Sequence, residues 1–438
     1  MIPIAGKKIL LLGLGLHGGG AATARWLHKH GAKLVISDLR DRKLLEPSIK
    51  ALAKQTGIVY VLGRHRERDV KWADYVVYNP GVPKESRYLQ LGRRLNKPVY
   101  NEASLFFDRC EAPIIAVTGT RGKSTTASLI AAMCKKKNPR TVLAGNIKTS
   151  FMLDVLDRMT PHHLAVLELS SWQLEGLNIV RGAPDIAVVT NLYPDHLNRY
   201  QSLAHYYASK KEIFRHQAAE HILILNKDDS LLAQWHKEAA PNAVFFSKGE
   251  HRALMKGMAL AGRHNLENAV AAIAAAKQYG VSARDIRSVL KNPPVLSGRQ
   301  EIIAVKKGVV YVNDTTATTP EAGIAALERF GGRRKNIILI AGGADKKLVF
   351  TEWARSVIKY CSQAHLLVGD ASAKQKKALA GFKKLTAGHN DLGVLVRIAA
   401  SAASKGDIIL FSPAAASFNL WPHEFARGDD FSKAVSGL

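Results

Sequence analysis

Two glycine-rich stretches constrain this chain more than any other feature, because each follows an apolar run and precedes a helical one. The first is Gly13-x-Gly15-x-x-Gly18, after the strand Lys8–Gly13 and before a helix over Ala21–His30. Glycines at this spacing permit a tight turn and let a phosphate approach the helix N-terminus. The next strand, Lys33–Ser37, ends at Asp38, twenty residues beyond Gly18, which completes a dinucleotide fingerprint. Two readings stay open on this motif alone. One is a nicotinamide-dependent dehydrogenase; the other is a Rossmann-like domain for a different phosphate ligand, or none.

The second stretch is Gly119-Thr120-Arg121-Gly122-Lys123-Ser124-Thr125, between the strand Ile114–Val117 and a helix through Cys134. Successive backbone N–H groups in such a loop can wrap a polyphosphate. Lys123 then supplies a cation to the phosphates, and the Ser124 hydroxyl supplies a ligand to Mg²⁺. The spacing is shorter than the general P-loop, and Val117 stands where the distant glycine would be. Two nucleotide-type loops in one chain argue against a simple dehydrogenase.

Three further runs carry polar chemistry, two of them at strand ends. Glu168-Leu169-Ser170-Ser171-Trp172-Gln173-Leu174-Glu175 follows the apolar run Leu164–Leu167 and puts a carboxylate where Mg²⁺ would lie; the plainer alternative is helix capping. Thr190 through Tyr200 follows Ile186–Thr190 and contains His196, a metal ligand or a structural histidine. In Gly262-Arg263-His264-Asn265-Leu266-Glu267-Asn268 the two asparagines, three apart, share one helix face and can read an adenine edge or cap the helix.

Taken in this order, the five motifs resemble the Mur ligases, ATP-dependent amino-acid ligases of peptidoglycan synthesis. Asn313-Asp314-Thr315-Thr316-Ala317-Thr318, Gly342-Gly343-Ala344-Asp345-Lys346, and Ser412-Pro413-Ala414-Ala415-Ala416-Ser417 with Arg427-Gly428-Asp429 extend the resemblance over the whole chain. It implies an α/β protein of three domains: a Rossmann-like UDP-substrate domain over 1–110, a P-loop ATPase over 111–298 and a Rossmann-like amino-acid domain over 299–438. The implied reaction joins D-glutamate to UDP-N-acetylmuramoyl-L-alanine through an acyl phosphate. L-glutamate is the alternative amino acid.

Residue by residue, the resemblance assigns Gly119, Thr120, Arg121, Gly122, Lys123, Ser124, Thr125, Asn265, Asn268, Arg299 and Asp314 to ATP. It assigns Ser124, Glu168, His196 and Lys210 to two Mg²⁺ ions, with Lys210 carbamylated. Catalysis falls to Lys123, Glu168, His196 and Lys210. Gly15, Leu16, His17, Asp38 and Asn146 go to the UDP substrate, and Thr318, Lys346 and Ser417 to glutamate. Arg121 stands in place of an asparagine, Lys148 in place of a glycine, and Thr316 in place of a lysine of the family pattern. The aromatic residue of the tail Trp421-Pro422-His423-Glu424-Phe425 is shifted by one.

Composition bounds the remaining classes. A length of 438 residues suits about three domains. The net charge of +27 invites a polyanion-binding reading, yet the basic residues are scattered and no aromatic-interleaved basic stripe occurs; nucleic acid is not an expected partner. No apolar run reaches the ~18–20 residues that span a bilayer. The N-terminal apolar stretch runs straight into the glycine turn, as a buried strand does. Three distant cysteines, Cys110, Cys134 and Cys361, fit a reducing cytoplasm and no zinc site. The expectation is a cytoplasmic monomer acting on small molecules.

Overall fold

The computed structural model describes residues 1–147, 150–195, 199–239, 242–259, 263–346, 348–417, 420–421 and 423–438. It separates into two compact units, Met1–Pro294 and Val295–Leu438.

The first unit carries two parallel sheets. One is built from β1 (Lys8–Leu12), β2 (Lys33–Asp38), β3 (Val59–Leu62), β4 (Tyr75–Tyr78) and β5 (Val99–Asn101), in the order β3-β2-β1-β4-β5. The chain leaves β1 toward β2 on one side and returns to β4 on the other. That reversal opens a crevice at the carboxyl end of β1, where the Gly13–Gly18 turn lies. The interior is near-continuous Ile, Leu and Val, as strands covered on both faces require: Ile9, Leu10, Leu11 and Leu12 are all buried.

The second sheet comprises β6 (Ile114–Thr118), β7 (Thr141–Gly145), β8 (Leu164–Glu168), β9 (Ile186–Val189), β10 (Ile222–Asn226) and β11 (Ala243–Phe246), ordered β11-β10-β9-β6-β8-β7. β6 is central, so the loop that follows it is flanked by the ends of β8 and β9. The helix Lys123–Lys137 packs on this sheet beside the helix Arg263–Gln278. The second helix is alanine-rich where it is buried, from Ala269 to Ala276, which lets the two approach closely.

The second unit holds β12 (Glu301–Lys306), β13 (Val309–Asn313), β14 (Ile337–Ala341), β15 (Cys361–Leu367), β16 (Leu385–His389) and β17 (Ile408–Phe411), ordered β12-β13-β17-β14-β15-β16. Among the described strand pairs of this sheet, β12–β13 is antiparallel and the others are parallel.

Several expected elements differ in extent. The first helix begins at Gly19, ahead of the alanine run, because Gly18 in the left-handed region turns the chain into it. The helix expected from Gly262 is described from Arg263 onward, and Gly262 lies outside the described residues. No helix among the described residues is long and apolar enough to cross a membrane.

Candidate active site

The loop after β6 is fixed by the next strand's motif. Thr190 Oγ1 donates to the Arg121 carbonyl at 2.7 Å, and Arg121 N donates to Asn191 Oδ1 at 2.8 Å. Thr120 N donates to the Asn191 carbonyl at 2.9 Å. The two loop glycines are required by this closeness. A Cβ on Gly119 would lie 2.0 Å from Thr190 Oγ1, and one on Gly122 would lie 2.0 Å from Asn268 Oδ1. Gly122, with φ of 82°, also caps the helix Lys123–Lys137. The first N–H groups of that helix therefore open beside the loop, with a cation at its first position. Asn268 and Asn265 are buried, and Asn268 Nδ2, beside the loop, donates to Asn265 Oδ1 at 3.4 Å.

Two lysines meet at one carbonyl. Lys123 Nζ folds back to the Gly119 and Thr120 carbonyls at 3.2 and 3.1 Å. Lys210 Nζ donates to the same Gly119 carbonyl at 2.8 Å and sits 4.7 Å over the Tyr206 ring. Lys210 is only 1% exposed. Its burial, and then the neighbouring Lys123 charge, push the ammonium well below the usual lysine range, against an opposing pull from Asp195.

Glu168 ends β8 and is 2% exposed. Its Oε1 accepts from Asn146 Nδ2 at 3.2 Å, and its carbonyl accepts from Asn146 N at 2.8 Å. That approach needs Gly145, whose φ is 113° and whose Cβ would meet the Glu168 carbonyl at 2.2 Å. Glu168 Oε2 is buried with no hydrogen-bond partner among the described residues. An orphaned carboxylate oxygen of this kind fits a hard cation such as Mg²⁺. No cluster of three or more His, Cys, Asp or Glu ligands occurs among the described residues. His196 and Lys148 lie outside the described residues.

In the glycine turn, Gly15 N donates to Asp38 Oδ2 at 3.0 Å, and Asp38 Oδ1 accepts from Arg40 N at 2.9 Å. Asp38 thus braces the turn it was expected to serve as a ligand-binding acid. Leu16 is half-buried and His17 exposed.

In the second unit, Asp314 accepts from Gln300 N at 3.0 Å and Ser412 Oγ at 2.7 Å, and burial pushes its carboxyl up to about 7. Arg299, which precedes Gln300 at the Gly298 turn, is exposed. Lys346 Nζ donates to Thr318 Oγ1 at 3.4 Å, which brings two of the expected glutamate residues together. Ser417 Oγ is buried without a partner among the described residues. Its loop is laced to the Lys346 loop by Ala344 N donating to Ala416 O at 2.9 Å.

Three family models match the chain. Residues 7–100 match the Mur ligase MurD-like N-terminal domain, 117–260 the Mur ligase middle domain, and 298–415 the Mur ligase glutamate ligase domain. A UDP-N-acetylmuramoylalanine--D-glutamate ligase from Roseiflexus sp. (strain RS-1) is 39% identical, over 99% of this chain and 99% of the relative. The chain belongs to the Mur ligase family. A ligase of the same name from Borreliella afzelii (strain PKo) is 35% identical, over 99% of each chain. Among solved structures, the UDP-N-acetylmuramate-alanine ligase MurC from Thermotoga maritima superposes with a TM-score of 0.63 at 19% identity, covering 98% of this Mur ligase and 99% of that chain. A MurF ligase from Thermotoga maritima in complex with ADP gives 0.58 at 18% identity, over 99% and 96%. These two structures support the α/β architecture.

Sequence reasoning gave no role to three residues on which the loops of this Mur ligase depend. Arg427 is completely buried and donates to the Thr315 carbonyl at 2.8 Å, Thr315 Oγ1 at 3.2 Å and the Ala415 carbonyl at 3.1 Å. Gln375 Nε2 holds the Pro413 carbonyl at 3.0 Å. Glu102 Oε1 accepts from Met152 N at 3.2 Å, and its Oε2 lies against Gly19 at the start of the first helix. The Arg-Gly-Asp run was visible as part of the resemblance; Gln375 and Glu102 had no sequence signal.

Proposed function

We propose that this Mur ligase joins D-glutamate to UDP-N-acetylmuramoyl-L-alanine with ATP, in the cytoplasm. The observation that carries the reading is the end-to-end match to relatives bearing that activity in their name. In this reading residues 1–110 take the uridine nucleotide, 111–298 take ATP, and 299–438 take the amino acid.

A carboxylate is a poor electrophile, and amide formation in water is uphill. Transfer of the terminal phosphoryl group of ATP to the substrate carboxylate gives an acyl phosphate and ADP. The glutamate amine then attacks the acyl carbon, a proton leaves the nitrogen, and phosphate departs from the tetrahedral intermediate. Lys123, freed from the Gly119 and Thr120 carbonyls, stabilises charge on the transferring group together with the N–H groups of its helix. Asn265 and Asn268 orient the nucleotide base, with Arg299 and Asp314 as contacts from the amino-acid domain. Asn146, held by Glu168, faces the muramoyl substrate. Thr318, Lys346 and Ser417 receive the glutamate carboxylates.

Ser124, Glu168, His196 and Lys210 would hold two Mg²⁺ ions, which neutralise phosphate charge when bound. For Lys210 this requires the carbamate. Its depressed ammonium favours the neutral amine that attacks CO₂, and the remaining N–H can still donate to Gly119.

The test is ADP release from the purified protein with UDP-N-acetylmuramoyl-L-alanine and a panel of D- and L-amino acids. Release that needs both the nucleotide substrate and D-glutamate is expected. A preference for L-glutamate would change the amino-acid assignment, and release without the nucleotide substrate would overturn the reaction.

A further inference from the structure

Arg199 lies in the segment between β9 and β10, just beyond the metal-motif histidine, and it reaches into the first domain. Its Nη1 and Nη2 donate to the Gly81 and Val82 carbonyls at 3.4 and 3.2 Å. The guanidinium lies 4.5 Å from the Trp172 ring centre, and Nη2 is 3.6 Å from Glu175 Oε2. Its side chain is only 9% exposed. Glu175 is held in turn by Tyr200, whose hydroxyl donates to Oε1 at 2.9 Å.

The turn that Arg199 grips borders the glycine loop. Asn79 N donates to the Leu12 carbonyl at 2.8 Å, and Val82 N closes the turn on the Asn79 carbonyl at 2.8 Å. A Cβ on Gly13 would lie 3.0 Å from Val82 Cγ2, and one on Gly15 would lie 3.2 Å from Asn79 Nδ2. One planar cation therefore touches three things at once: the turn packed on the nucleotide loop of the first domain, the Trp172–Glu175 segment that follows Glu168, and the chain that follows His196. A purely local ion pair would need only Glu175. Two successive carbonyls of another domain, received on one guanidinium edge while its face lies on an indole, call for arginine, and lysine cannot reproduce the arrangement.

We infer that Arg199 is a positioning residue that sets the register between the uridine-binding turn and the phosphoryl-transfer loops. The inference rests on the proposed function. The UDP end of the substrate is anchored on one domain while its carboxylate must lie in line with a phosphate held by the other. An error of register between the two is an error at the reacting atoms, and about 1 Å of misplacement can cost on the order of a hundredfold in rate. The arginine itself touches no reacting group.

Two measurements test this. Amide exchange on the ligand-free protein compares wild type with Arg199→Ala and Arg199→Lys. Faster exchange in both 79–83 and 169–175 is expected, with the protection of β6 and β9 unchanged; unchanged exchange in those two segments would overturn the inference. Steady-state kinetics then vary each substrate. In Arg199→Ala, kcat should fall at least about tenfold and KM for the UDP substrate should rise, while KM for ATP stays within about twofold. Arg199→Lys should recover less than half of the loss. Wild-type kcat and KM in both variants would also overturn the inference, as would a uniform loss that tracks the melting temperature. If Arg199→Ala fails to fold, Arg199→Lys and Glu175→Gln carry both measurements, with the same shifts expected at smaller size. Loosened segments in a protein whose wild type ignores the UDP substrate would leave the register in place and reject the substrate instead.

Discussion

The Lys210 ammonium and the Lys123 ammonium both reach the carbonyl of Gly119, at 2.8 and 3.2 Å. Two cations on one neutral acceptor in a buried site repel each other, and burial disfavours the Lys210 charge, which offsets the hydrogen bonds they make. Replacing Lys210 by methionine removes a buried charge while keeping most of the side-chain volume, so the melting temperature should hold or rise. ADP release should nevertheless fall more than about a hundredfold, the scale for losing an electrostatic group at a phosphoryl-transfer site. Lys123→Ala should be similarly inactive without unfolding. A folded Lys210→Met protein with near-normal turnover would remove this lysine from the machinery.

Glu102 gives a pH signature. Burial pushes its carboxyl from 4.5 up to about 7, opposed by the Met152 N–H. The folded state therefore prefers the protonated acid. Its contribution is complete below the unfolded pKa and is lost as pH rises from about 4.5 to about 7, after which the penalty is constant. The difference is on the order of 3 kcal/mol at most. Glu102→Gln mimics the protonated form, so its stability advantage over wild type should grow through that window and then level off. Urea unfolding at a series of pH values checks this, and a difference independent of pH would sink it.

Arg427 tests the second unit. Burial lowers its guanidinium to about 10, so it stays charged at neutral pH while bonded to carbonyl and hydroxyl oxygens. Arg427→Ala leaves a cavity and unpaired buried acceptors on the loops that carry Asp314 and Ser417. A loss of about 3–5 kcal/mol in the unfolding of Val295–Leu438 is expected. Arg427→Lys should recover little of it, because one ammonium cannot span the same acceptors. Calorimetry that resolves the two units measures this directly.

The strand–loop–helix pattern made much of the site legible. Gly119, Glu168 and Thr190 each stand at the carboxyl end of an apolar run, with Lys123 opening the helix after the first, and parallel topology brings such ends to one edge. The edge strands were not legible for a related reason. β3 (VYVL) has one fully buried residue and β16 (LTAGH) has none, so neither shows the apolar period that marked β1 or β6. Spacing marked Asp38, but it does not reveal that the Asp38 oxygens also accept from the Gly15 and Arg40 N–H groups and so hold the turn. Arg199 and Glu102 act on partners 117–118 and 50 residues away, and no local pattern reports such pairs.

The contact of Gly122 with Asn268 separates steric from chemical roles in the loop. Gly122 needs a positive φ, and a Cβ there would fall 2.0 Å from Asn268 Oδ1. Gly122→Ala should therefore cost about 1–2 kcal/mol from backbone strain, plus whatever displacing Asn268 requires. Asn268→Ala alone should raise KM for ATP with a smaller loss of stability. In Gly122→Ala/Asn268→Ala the collision partner is gone, so the double variant should be destabilised by less than the sum of the singles, by at least about 1 kcal/mol. Its KM for ATP should remain as high as in Asn268→Ala, since removing a clash does not restore the amide. Denaturant unfolding and ATP-dependent kinetics on the four proteins complete the cycle, and strict additivity of the stability losses would mean that Asn268 does not press on the loop.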